Sequence, residues 1–170
     1  MNYSDPTRLG ILACPGGERF TELVLQRLAS IYKRRFERKT RVLADRYHLS
    51  AELVIRKSNF ANDIQSSMLY IPGDVNKFRA PRFKINARHS WFANGEIKTE
   101  ILDSVRGKDL YIVQDVENHQ PVKFNEGRDE RVLSINDHIF NLLVAVDAAM
   151  QSGAERITVV VPTYPYSRQH

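Results

Sequence analysis

Apolar residues recur along the chain in two rhythms, one of unbroken short runs and one of three- and four-residue steps. Leu9-Gly10-Ile11-Leu12-Ala13-Cys14 is an unbroken run closed by Pro15-Gly16-Gly17, which predicts a buried strand and then a turn. From Glu18 the stepping pattern takes over, with Phe20, Leu23, Val24, Leu28, Ile31 and Tyr32 forming the stripe of an amphipathic helix. Glu52–Lys57 reads as a strand. Residues 59–82 mix Asn, Ser, Pro and Gly with isolated apolar positions and no period, so most of the stretch from Leu49 to His89 reads as an insertion. Within it Met68–Ile71 is either a short strand or an interface loop, and Pro72-Gly73-Asp74 a turn. Beyond Trp91, Ile97, Thr99 and Ile101 alternate with Lys98, Glu100 and Leu102, the mark of a half-buried strand, and Leu110–Val113 is a buried one. Asp115 to Ser134 turns polar and charged, which predicts a long surface loop. Asn136 or Asp137 then caps a helix carrying Ile139, Phe140, Leu142, Leu143, Val146, Ala149 and Met150 up to Gly153, and Arg156–Val161 is the last buried strand.

Strands that alternate with helices and are apolar along their whole length fit a sheet covered on both faces. The class is therefore α/β, a mainly parallel sheet flanked by helices. In such sheets ligands collect beyond the C-terminal ends of the strands, here Pro15-Gly16-Gly17, Asp115-Val116-Glu117 and the segment from Pro162 to Gln169.

Composition narrows the setting. At 170 residues, with 42% hydrophobic and 26% charged residues, the chain suits one folded domain, and disorder and repeat architectures are disfavoured. It has no run approaching the roughly 20 apolar residues of a membrane span, and its polar first residues, Met1 to Arg8, lack the apolar core of a secretion signal. Cys14 is alone and cannot form an internal disulfide, so the expected location is cytoplasmic, with no membrane partner. The formal charge of +5 is too modest to require nucleic acid. Arg27, Lys33, Arg34, Arg35, Arg38, Lys39 and Arg41 crowd the first helix, yet without interleaved aromatics or a base-reading motif they read as a solvated face, a polyanion-binding face being the alternative.

Candidate chemistry is sparse. Gly16-Gly17 between strand and helix either cradles a phosphate or simply makes a tight turn, since it lacks both the Gly-Lys-Ser/Thr of a P-loop and the third glycine of a dinucleotide fingerprint. His89, His119, His138 and His170 form no close pair and one cysteine makes no zinc site, so no metal ligation by the protein is expected. No nucleophile elbow is present. Two segments are richer. Phe92-Ala93-Asn94-Gly95-Glu96 sets an aromatic, an amide and a carboxylate in one turn, suited to stacking on a base and bonding its edge, though Asn-Gly also suits an ordinary hairpin turn. Tyr164-Pro165-Tyr166-Ser167-Arg168-Gln169-His170 offers two aromatics and an arginine fork for phosphate.

Phe92–Glu96, then Glu100 to Gln114, Asn136-Asp137, Asp147-Ala148 and Pro162 to Gln169 together resemble the N-terminal half of ribose-phosphate pyrophosphokinase, also called phosphoribosyl pyrophosphate synthetase. The resemblance covers most of residues 91–170 and, more weakly, the first strand and helix. It implies a phosphoribosyltransferase-like fold and transfer of the pyrophosphoryl group of Mg-ATP to the C1 hydroxyl of ribose 5-phosphate, giving AMP and phosphoribosyl pyrophosphate. It also implies a homo-oligomer in which Phe92, Asn94 and Glu96 contact adenine from an exposed loop near a subunit boundary. Arg168 and Gln169 would bind the nucleotide and its phosphates, and Ser104 and Arg106 a phosphate effector. Mg2+ would enter with ATP. On this reading residues 1–170 form a single N-terminal domain holding no catalytic residue of its own and inactive alone, because the catalytic C-terminal half is absent from the chain. The alternative is a non-catalytic regulatory or assembly homologue. His170 stands where the family often has Asp, and the segments 49–89 and 115–134 exceed its compact members.

Overall fold

The computed structural model describes residues 8–56, 60 and 81–168. In chain order these form β1 (Leu9–Ala13), α1 (Glu18–Tyr47), α2 (Ala51–Arg56), β2 (Lys84–Ile85), β3 (Ala87–Trp91), β4 (Ile97–Ile101), β5 (Asp109–Val113), β6 (Val122–Phe124), β7 (Asp129–Arg131), α3 (Ile135–Gln151) and β8 (Arg156–Val160). The described residues divide into two compact units, one of residues 8–24 and 83–168, the other of residues 25–56, 60 and 81–82.

The first unit is built on a four-stranded, wholly parallel sheet in the order β2-β1-β5-β8. β1 and β5 run centrally and in full register, from Leu9 opposite Asp109 to Ala13 opposite Val113. Their side chains make the core: Leu12, Leu110 and Ile112 are fully buried with Val105, and Leu142, Ala145 and Ala149 of α3 pack onto them. The predicted α/β class is what the chain forms, with strands at Leu9–Ala13 and Asp109–Val113 buried as expected. The last strand, Arg156–Val160, ends one residue early and is not buried: it is the edge of the sheet, covered by β5 on one side only, and Val159 is exposed. Gly10 leaves room for its neighbours, since a Cβ there would lie 3.0 Å from the Ile85 side chain on the edge strand and 3.1 Å from that of Leu110 and would press them aside.

Four further expectations need correction. Glu52–Lys57 is not a strand: Ala51–Arg56 is the helix α2, because Ser50 offers its hydroxyl to the Leu53 amide and its carbonyl to Val54, a local cap that outweighs the β preference of Val54 and Ile55. Asp115–Ser134 is not an open surface loop. It holds the antiparallel ribbon β6–β7, and Val122, Phe124 and Leu133 are buried in a small cluster against Trp91. The cap of α3 is neither Asn136 nor Asp137 but Ser134, whose hydroxyl accepts from the Asp137 amide while the Asp137 carboxylate accepts from the Ser134 amide. On α1, Phe20 and Leu23 are exposed rather than part of a buried stripe. Of the stretch read as an insertion, Lys84–Ile85 supplies the edge strand β2, while Met68–Ile71 and Pro72-Gly73-Asp74 lie outside the described residues.

In the second unit Leu43, Val54 and Phe60 form a separate small core with Phe36, Ala44 and Leu49. Arg27, Lys33, Arg34, Arg35, Arg38 and Arg41 are exposed on α1, Arg35 lying over the Tyr32 ring at 5.6 Å.

Candidate functional site

Where β1 and β5 end, the chain must turn without leaving buried polar groups unpaired. Gly17 turns directly against β5, where a Cβ would fall 2.6 Å from the Val113 carbonyl oxygen, and Gly16 adopts φ +93° over the His138 ring. The Gly17 amide closes the turn onto the Cys14 carbonyl at 2.8 Å, and the Gly16 amide donates to the Glu18 carboxylate at 2.7 Å. This is the tight-turn alternative, with the chain's own carboxylate on the amide. Burial, assisted by the nearby Glu18 charge, pushes the Cys14 thiol far above its ordinary range, so it is not a nucleophile.

Under the turn lies a fully buried pair. The Gln114 amide donates to the Pro15 carbonyl at 2.9 Å and to His138 Nδ1 at 3.0 Å, and His138 Nε2 meets the Asn118 carbonyl at 3.0 Å. A carbonyl opposite Nε2 calls for a hydrogen there, and the carboxamide NH2 opposite Nδ1 for a lone pair, so the two contacts orient the ring. The pair locks the turns after β1 and β5 together. Gln114 and His138 were not singled out from sequence as a pair, although a Gln closing an apolar strand and a His beside a helix cap are the polar exceptions that could have flagged them.

The segment Phe92–Glu96 is the tip of the hairpin β3–β4, whose register pairs Trp91 with Ile97. The tip is closed by the Phe92 amide on the Glu96 carbonyl at 2.8 Å and the Gly95 amide on the Phe92 carbonyl at 3.0 Å, with Gly95 at φ +88°. Asn94 spends its carboxamide oxygen internally, on the Glu96 amide at 3.1 Å, which leaves its NH2 outward. Phe92 is 46% exposed, and Asn94 and Glu96 are exposed too. The expected exposed loop is therefore present: a large ring, an amide donor and a carboxylate acceptor held on a closed turn. Glu96 also borders a groove of about 450 Å³ with Trp91, Ile97 and the α3 residues Asp137, Phe140 and Asn141.

The hairpin is tied to the parallel sheet by His89, whose Nε2 meets the Ala13 carbonyl at 3.2 Å and whose Nδ1 meets the Thr99 hydroxyl at 3.0 Å. Burial lowers its pKa to about 4, against the opposing pull of the Ala13 carbonyl.

After β8 the chain turns through Pro165–Arg168, leaving Arg168 exposed. Tyr166, at φ +56°, donates its hydroxyl to the Asn136 carboxamide in the first turn of α3. Gln169 and His170 lie outside the described residues. The first half of α3 is thus a common neighbour of the Phe92–Glu96 tip and the Arg168 turn. Ser104 and Arg106 are elsewhere, exposed just before β5 at the opposite end of the parallel sheet, where Arg106 bridges Ala154. Among the described residues no group of three or more His, Cys, Asp or Glu is placed to hold a metal ion, and no helix is long and apolar enough to cross a membrane.

Comparison with known proteins bears on residues 57–170, which match a family model described as the N-terminal domain of ribose phosphate pyrophosphokinase. The chain is 44% identical over 84 residues to ribose-phosphate pyrophosphokinase B of Dictyostelium discoideum, covering 49% of this chain and 21% of that protein. It is 38% identical over 78 residues to the ribose-phosphate pyrophosphokinase of Mesorhizobium japonicum, covering 46% and 20% respectively. The solved phosphoribosylpyrophosphate synthetase from Mycobacterium smegmatis aligns at 31% identity over 51% of this chain and 24% of that one, with a TM-score of 0.40. The matched segment spans about a fifth of the length of these curated relatives.

Proposed function

The chain belongs to the ribose phosphate pyrophosphokinase family as its N-terminal domain, and from that premise we propose that it supplies the ATP-recognising half of an enzyme that makes phosphoribosyl pyrophosphate. In the reaction the C1 hydroxyl of ribose 5-phosphate attacks the β-phosphorus of ATP and loses its proton. The α,β-bridging P–O bond breaks, and AMP leaves with the bridging oxygen. Pyrophosphoryl transfer is mostly a matter of placing two anionic substrates in line and stabilising charge around them.

The observation that carries the reading is the geometry of the Phe92–Glu96 tip. A protein normally buries a phenylalanine; here the backbone is closed by its own hydrogen bonds and the ring is left 46% exposed beside an outward carboxylate. Phe92 stacks on adenine, Glu96 accepts from its exocyclic amine, and the Asn94 NH2 donates to a ring nitrogen. Arg168 and Gln169 meet the phosphates. Ser104 and Arg106, at the far end of the sheet, take a phosphate effector at a site separate from ATP. Mg2+ arrives on the ATP phosphates, because the described residues offer no cluster that could cage it. The family resemblance implies that such a tip serves a neighbouring subunit and that the working form is a homo-oligomer, a role that the exposure of Phe92 leaves open to it. Residues 1–170 act as one N-terminal domain, and the catalytic groups belong to a C-terminal half.

The test is Mg-ATP binding to the chain by calorimetry and the KM for ATP in the complete enzyme. Phe92→Ala should weaken both by the stacking contribution of about 0.5–1.5 kcal/mol beyond lost area, several-fold in affinity, with kcat little changed. Unchanged affinity overturns the adenine assignment and favours a regulatory or assembly homologue.

A further inference from the structure

The hairpin tip is held from outside by the segment that follows β5, and one side chain makes the joint. Asn125, between β6 and β7, accepts the Trp91 amide on Oδ1 at 3.1 Å and donates from Nδ2 to the Trp91 carbonyl at 2.9 Å. A single carboxamide thus satisfies both backbone groups of the residue before Phe92, as a neighbouring strand would. Its second Nδ2 hydrogen goes to the Asp129 carboxylate. Around this joint Arg131 lies over the Trp91 ring at 4.9 Å, Phe124 meets that ring edge-on at 5.5 Å, and Glu126 pairs with Arg88 of β3 at 3.0 Å.

The backbone at the joint is strained. Asn125 and Glu126 sit at φ +51° and +60°, followed by Gly127 at +86°. Consecutive non-glycine residues in the left-handed region persist only where their surroundings over-determine them, and such strain collects at functional sites. Asparagine tolerates that region better than other side chains and also carries the donor and acceptor needed to pair with a peptide group.

We propose that Asn125 is a positioning residue for the adenine-binding tip, and that the β6–β7 ribbon is a clamp which holds the edge of β3 so that Phe92 and Glu96 are presented in one orientation. The inference rests on the ATP reading only for its consequence; the clamp itself is a statement about the hairpin. Without it Trp91 would have an unpaired strand edge directly beside the tip, and the ring and carboxylate would share its motion. Nothing else described between β5 and α3 reaches the Trp91 peptide.

The experiment is amide hydrogen exchange on the chain carrying Asn125→Gly or Asn125→Asp, with Mg-ATP titrated into the same samples. Glycine keeps the left-handed backbone free of strain and removes both hydrogen bonds. Aspartate keeps the shape and the acceptor but turns the donor into a repelling oxygen. In both, exchange at Trp91 and Phe92 should rise by roughly ten-fold while the α3 amides of Leu142 and Ala145 stay protected, which separates loosening of the tip from failure to fold. Mg-ATP binding should weaken several-fold, by no more than in Phe92→Ala. Unchanged exchange at Trp91 and Phe92 in Asn125→Gly overturns the clamp whatever ATP does. Loss of α3 protection in both variants would also overturn it, by making Asn125 a general stability residue. Increased exchange in a protein that binds no ATP even as wild type would leave the clamp standing and remove the adenine reading.

Discussion

The two turns that carry the proposed ATP contacts are built in opposite ways. The Phe92–Glu96 tip closes on itself through two backbone bonds and one from Asn94, and the strand behind it is bonded on both edges. The Arg168 turn is held from a distance, by the Tyr166 hydroxyl on Asn136 of α3. A base is recognised by orientation, and stacking and edge contacts fail when a ring tilts, so its platform needs a rigid frame. A guanidinium also meets phosphate with a directional fork, but charge draws the two together and the arginine's own long stem can bring the fork to the oxygens, so the turn beneath it needs less rigidity.

The comparison breaks most visibly at Arg168. In the complete enzyme Arg168→Ala should lower kcat/KM for Mg-ATP by roughly 10- to 150-fold, the scale of losing one charge-assisted hydrogen bond to the phosphates. Steady-state turnover of ribose 5-phosphate across Mg-ATP concentrations measures it, and an unchanged kcat/KM would remove Arg168 from the ATP site.

The next effect concerns pH, and it should appear only on the hairpin side. His89 holds β3 to β1 in its neutral form, with a folded pKa of about 4 against 6.5 unfolded. As pH falls below 6.5 the unfolded chain takes up the proton first, so the contribution is fully present above pH 6.5 and is lost as pH drops toward 4. Its full size is on the order of 3 kcal/mol, the shift from 6.5 to about 4 at roughly 1.4 kcal/mol per pH unit. Denaturant midpoints of wild type and His89→Gln across pH 4–7 should show a steeper decline in wild type, and parallel curves would remove His89 as the tie.

Tyr166→Phe tests the other turn. Losing the hydroxyl should cost about 0.5–1.5 kcal/mol of local stability, seen as faster exchange of the Ser167 and Arg168 amides, with the Phe92–Glu96 tip unaffected. Equal loosening of both turns would mean that they are not independently built.

The smallest effect belongs to the exposed basic face of α1. Arg34→Glu with Arg38→Glu should change stability by less than about 0.5 kcal/mol per site and leave Mg-ATP binding intact. Weak binding to a polyanion, if present, should vanish as salt rises. Salt-resistant, sequence-dependent nucleic-acid binding lost in the double variant would reassign that face.

Much of this frame is written locally. The runs at Leu9–Ala13 and Leu110–Val113 declare buried parallel strands because nothing charged interrupts them, the β-branched run at Arg156–Val160 declares a strand without telling that it lies at the sheet edge, and the 3.6-residue stripe from Ile139 to Met150 declares α3. The Phe92–Glu96 turn was legible too, since Asn-Gly between alternating residues has few other uses and Gly95 does adopt a positive φ. The resemblance in residues 91–170 pointed to the family that the comparison of residues 57–170 found.

What resisted reading was whatever takes its partner from far along the chain. In Val122-Lys123-Phe124 the alternation is real, buried-exposed-buried, but three residues among many charges carry too little signal to mark a strand. Glu52–Lys57 failed for the converse reason: a β-branched pair suggested extension, and a single serine cap decided for helix. Residue type and period determine which segments are strand, helix or turn, because those choices depend on neighbours within a few positions. Which strand edge Asn125 pairs with, which carbonyls turn His89 and His138, and which helix residue anchors Tyr166 were decided only when the fold brought together groups 34, 76, 20 and 30 residues apart, because a hydrogen bond is set by where its partner lies in space.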